Sequence, residues 1–63
     1  MIGKNIQTQR KKCKLSQQDL ADLVGVSERQ IRRYEHEETE LTINQLMRIA
    51  TILGIDYISL LKE

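Results

Sequence analysis

QQDLADLVGVSERQIRRYE, residues 17 to 35, is the stretch that decides the fold of this 63-residue chain. Ser16, just before it, reads as an N-cap, and Asp19 places a carboxylate at the positive end of the helix that follows. Leu20, Ala21, Leu23 and Val24 supply an apolar face. Gly25 ends the helix after two turns, at a position where positive φ costs glycine little. Ser27 repeats the capping signal at once and opens another short helix through Glu35 or His36, with Ile31 and Tyr34 facing inward. Ala21 is small where the two helices must approach, and Leu20, Val24, Val26, Ile31 and Tyr34 fill the space between them.

Upstream, Ile2, Ile6 and Cys13 recur at near-helical spacing with Arg10 on the same stripe, which predicts a first amphipathic helix over residues 2 to 13. Downstream, His36 to Leu41 is polar, acidic and aperiodic, and reads as a connecting loop. Thr42 caps a fourth helix whose Ile43, Leu46, Met47, Ile49, Ala50 and Leu53 form a wide apolar stripe, stopped by Gly54. Asp56 caps a short fifth helix carrying Tyr57, Ile58, Leu60 and Leu61. The expectation is an all-α chain of five helices, a single domain over residues 1 to 63.

A domain of this size buries little surface, so help from a partner subunit or a bound polyanion is expected. Without Trp, Phe or Pro, the core must be aliphatic. The lone Cys13 excludes an internal disulfide and a multi-cysteine zinc site; it is expected to fill a small core space. His36 has no second His or Cys to help it hold a metal, so no metal and no cofactor are expected. No apolar stretch approaches the roughly 20 residues that span a bilayer, and no signal-peptide core follows Met1. A cytoplasmic chain with no membrane partner and no small-molecule ligand is the expectation. Charge is unevenly spread: eight Lys and Arg face three Asp and Glu in residues 1 to 34, against two and six in residues 35 to 63. The first part suits a polyanion.

Two short helices joined by a tight glycine turn form a helix-turn-helix unit, whose second helix enters the DNA major groove. The chain resembles the Cro and phage-repressor type of helix-turn-helix domain, also called the xenobiotic-response-element type. The resemblance runs from Ile6 and Arg10 through Leu15 to Ser27, Ile31 to Glu35, and Leu46 to Leu61. It implies the compact five-helix lambda-repressor-like fold, double-stranded DNA as partner, and a transcription regulator, a repressor binding a palindromic operator as a homodimer.

With Ile31 pointing inward, Arg29 and Arg33 lie about 160° away on either side, and Gln30 and Arg32 flank at about 100°. Arg29 and Arg33 are therefore candidate base readers, since Arg can bond O6 and N7 of guanine together. Gln30 and Arg32 suit phosphates. Ordinary solvated pairing of these arginines with Glu28, Glu35 and Glu37 is the alternative. The resemblance implies that Ser27 and Glu28 approach bases and that Gln17, with Gln18 beside it, lies against a phosphate. Lys11 and Lys14 are candidates for the flanking backbone. Arg10 on the inward stripe and Glu35, about 40° from the inward direction, are expected to form a partly buried ion pair, as in phage repressors.

One loop departs from the family pattern: His36-Glu-Glu-Thr-Glu40 places three carboxylates where relatives carry Asn, Gly and Lys, so it is left out of the DNA-contacting set. Tyr57, Ile58, Leu60 and Leu61 cannot all face one small core; Tyr57, Ile58 and Leu61 are the candidate dimer contacts. An antitoxin-like or other protein-interaction module, using the acidic loop and the fifth helix, is the competing function. No enzyme is expected, because no nucleophile, base and orienting group come together in the sequence.

Overall fold

The computed structural model describes residues 1–62. Five helices follow in order: α1 (Ile2–Lys12), α2 (Gln17–Val24), α3 (Glu28–Glu35), α4 (Ile43–Leu53) and α5 (Tyr57–Leu61), with no strand among the described residues. Ser16, Ser27 and Thr42 each accept the backbone N–H of the third residue onward, from Asp19, Gln30 and Gln45. At α2 the cap is reciprocal, because the Asp19 carboxylate also accepts the Ser16 N–H, closing a capping box.

The first four helices end in the same way. In each, an N–H just past the helix reaches back to the carbonyl five residues earlier: Leu15 to Arg10, Val26 to Ala21, Glu38 to Arg33 and Ile55 to Ala50. This is the Schellman ending, which needs one left-handed residue. Gly25 (φ 87°) and Gly54 (φ 74°) supply it as the sequence predicts, but Lys14 (φ 59°) and Glu37 (φ 60°) supply it for α1 and α3.

The core joins all five helices through Ile6, Leu20, Ile31, Ile49 and Leu60, none of which reaches solvent. α2 packs chiefly on α3 and α4, and α1 bridges α3 and α5. Gly3 brings α1 against the end of α3: a Cβ there would stand 2.5 Å from the Tyr34 carbonyl oxygen and 2.6 Å from that of Glu35. Its N–H donates to the Glu37 carboxylate.

Three expectations are corrected. Cys13 is exposed, not a core filler, because α1 stops at Lys12 and Cys13 becomes its cap residue, with Sγ 3.6 Å from the Leu53 carbonyl oxygen. Leu23 is 58% exposed, since it lies about 110° from the middle of the buried face formed by Leu20, Ala21 and Val24. Ile43 and Met47 are also exposed, on one flank of a stripe in which only Leu46, Ile49, Ala50 and Leu53 are buried.

Candidate nucleic-acid interface

The Ser27 cap and the inward Ile31, Tyr34 and Glu35 fix the rotation of α3, and thereby what it shows outward. Arg29 and Arg32 are exposed, while Glu28, Gln30 and Arg33 are half-buried. The side chains of Arg29, Arg32 and Arg33 form no ion pair or hydrogen bond among the described residues, so the expected alternative of pairing with Glu28, Glu35 and Glu37 is not found. Ser27 Oγ accepts the Gln30 N–H at 3.1 Å, which leaves its hydroxyl hydrogen free to donate outward.

Behind this surface lies a polar hub. Arg10 and Glu35 are both buried; Arg10 Nε donates to Glu35 Oε2 at 2.6 Å and Nη2 to Oε1 at 3.2 Å. Arg10 Nη1 donates to the Leu15 carbonyl at 2.8 Å, and Gln17 Nε2 donates to Glu35 Oε1 at 3.1 Å. One carboxylate thus ties α1, α2 and α3 together, and the desolvated charges are matched by directed hydrogen bonds. The side chain of Gln17 belongs to this hub, a link the sequence reading did not contain. Gln18 Nε2 is likewise engaged, with Asp22 Oδ1 at 2.7 Å. What both residues still offer outward is the pair of backbone N–H groups at the α2 N-terminus, outside the cap made by Ser16, where the helix dipole favours an anion.

Lys11 and Lys14 are exposed at the end of α1. In α5, Leu60 is buried and Tyr57 half-buried, while Ile58 and Leu61 remain 49% and 46% exposed. Two further side chains, unremarked in the sequence, hold helix ends from across the molecule. Arg48 Nη1 donates to the Val24 carbonyl, the last of α2, at 3.2 Å. Asn5 Nδ2 donates to the Leu60 carbonyl at 2.9 Å and to that of Lys62. No local pattern marks either residue, because both contacts depend on how the helices pack. Among the described residues no three His, Cys, Asp or Glu side chains are grouped to hold a metal, and no helix is long and apolar enough to cross a membrane.

Comparison with known proteins bears on this surface. Residues 6–60 match the helix-turn-helix family model. The fold is similar to that of the master regulator for biofilm formation SinR in complex with DNA, with a TM-score of 0.91 and 28% identity over 98% of this chain and 100% of that one. It is also similar to the P22 c2 repressor solved with a synthetic operator, at TM-score 0.90 and 35% identity, covering 98% of this chain and 94% of that one. The antitoxin PezA of Streptococcus pneumoniae serotype 4 is 32% identical over all 63 residues, and the chain spans 40% of that relative's length.

Proposed function

We propose, from the premise that the chain belongs to the helix-turn-helix family of Cro and phage-repressor type, that it is a sequence-specific DNA-binding transcription regulator. Residues 1 to 63 act as one domain, and α3 is the helix that enters the major groove. Ser27, Glu28, Arg29 and Arg33 meet base edges, and Gln17, Gln18, Lys11, Lys14, Gln30 and Arg32 meet the backbone. The protein is a repressor that binds a palindromic operator as a dimer through Tyr57, Ile58 and Leu61, with its two recognition helices about 34 to 36 Å apart. The observation that carries this reading is the outward face of α3, whose three arginines have no partner among the described residues and lie in front of the hydrogen-bonded Arg10–Glu35–Gln17 hub. The DNA complexes of SinR and the P22 c2 repressor support it.

Selection from random duplex DNA at two salt concentrations tests it. A palindromic winner with guanine at two positions per half-site is expected, with affinity falling steeply as salt rises. Arg33→Ala should lose about 1 to 3 kcal/mol of discrimination at one base pair. An equal loss on scrambled DNA would make Arg33 a phosphate contact instead.

The similarity to an antitoxin favours a second reading, in which the domain also binds a protein partner through surfaces other than α3. The acidic loop and α5 are the surfaces available for it. A stoichiometric partner that copurifies with the chain and dissociates without loss of operator binding is the expected outcome.

A further inference from the structure

Beneath the loop that joins α3 to α4 lies an open groove of about 510 Å³, lined by Ile2, Gly3, Tyr34, Leu41 and the loop residues from Glu37 to Glu40. Its floor is apolar and its rim is acidic. Glu37, Glu38 and Glu40 make no ion pair with any Lys or Arg among the described residues, so no such side chain there neutralises their charge. The rim is also held in place. Glu37 sits in the left-handed backbone of the Schellman ending and accepts the Gly3 N–H, while the Glu38 N–H is bonded to Arg33.

Tyr34 lines the groove, is only 7% exposed, and its hydroxyl has no hydrogen-bond partner among the described residues. That oxygen is not among the buried unpartnered atoms, so it reaches solvent and can accept from a ligand's donor in place of water. The carboxylates are not grouped as a metal site, which leaves an organic cation. A DNA phosphate is the wrong charge for this rim. A guanidinium on an aliphatic stem matches the features in turn: methylenes on Ile2 and Leu41, and five N–H donors for carboxylates and a phenol oxygen.

We infer that this groove receives an arginine side chain from a basic segment of a partner protein. The inference gives the protein-interaction reading a surface and a chemistry, and rests on that reading.

The probe is the end-blocked peptide acetyl-Gly-Leu-Arg-Leu-Gly-amide, titrated into the ¹⁵N-labelled full chain. The same peptide with citrulline, the uncharged isostere of arginine, is the control. Saturable shifts of the Gly3, Tyr34 and Leu41 amides are expected, about tenfold weaker with citrulline and about tenfold weaker for the Glu38→Gln/Glu40→Gln double variant. Both substitutions are on the exposed rim, and an unchanged melting temperature verifies that the variant folds. Equal binding by the citrulline peptide, no response to the double variant, or shifts spread equally over Asp22 and Asp56 overturns the inference. So does saturation by spermidine with none by the peptide, which would assign the groove to free polyamines. The titration reads the groove alone. Its failure is therefore separate from failure of the protein-interaction reading, which is decided by whether a stoichiometric partner copurifies.

Discussion

Lys14 holds φ at 59° in the left-handed region, where a side chain costs roughly 1 kcal/mol that glycine does not pay. It is exposed and serves the ending of α1 through its backbone alone. Lys14→Gly should therefore raise stability by about 0.5 to 1 kcal/mol in urea unfolding while weakening operator binding and lowering the salt slope by about 1. Stability and affinity are expected to move in opposite directions. The same change at Glu37 removes a similar strain but also loses the bond to the Gly3 N–H, so its gain is smaller. Asp19 carries the pH dependence at this scale. The Ser16 N–H, and after it the Ser16 hydroxyl, hold its carboxyl below the ordinary value of 3.8. A folded pKa below the unfolded one favours the folded state when the group is ionised. The contribution is present above about pH 4 and is lost as pH falls through the folded value. In Asp19→Asn the stability lost relative to the parent should shrink below about pH 4 in thermal melts; a constant difference down to pH 2 would remove the capping box from the account.

At the scale of helices, beginnings were more legible than ends. Ser16, Ser27, Thr42 and Asp56 carry their caps in their own side chains, so local sequence suffices to find them. Gly25 and Gly54 announce their endings for the same reason, whereas Lys14 and Glu37 adopt that backbone without the residue type that signals it. Contacts that depend on how helices pack left no local mark: Arg48 on the Val24 carbonyl, Asn5 on that of Leu60, and Gln17 on Glu35. The stripe of α4 was read too wide because periodicity gives the direction of a face but not where its neighbours end, which leaves Ile43 and Met47 outside. The Arg10–Glu35 pair is the joint between α1 and α3. Arg10→Ala should cost about 3 to 5 kcal/mol by leaving the Glu35 carboxylate buried with Gln17 as its remaining side-chain partner, while Arg10→Met with Glu35→Leu should recover most of that loss. Denaturant midpoints of the three proteins decide it; a double variant no better than the single one would mean that the charges, not their matching, hold the helices.

Over the whole molecule, with extents of 24 × 23 × 18 Å, basic side chains gather on α1 and α3 and acidic ones on the α3–α4 loop. That division of charge suits a polyanion on the side of α1 and α3 and disfavours one beside the loop. Dimerisation belongs to this scale too. Ile58→Asp should abolish a concentration-dependent shift in melting temperature and weaken binding to a full palindrome far more than to a half-site; sedimentation showing a monomer for both proteins at all concentrations would place the contact elsewhere. The aliphatic core has a practical counterpart in spectroscopy. With no tryptophan, all near-ultraviolet emission comes from two tyrosines, Tyr34 enclosed between helices and Tyr57 half-covered on α5. Phenylalanine at one of them leaves a chain with a single fluorophore. The Tyr57→Phe protein then reports unfolding through Tyr34, and the Tyr34→Phe protein is the one to test the proposed association through Tyr57, so both can be followed optically without attaching a dye.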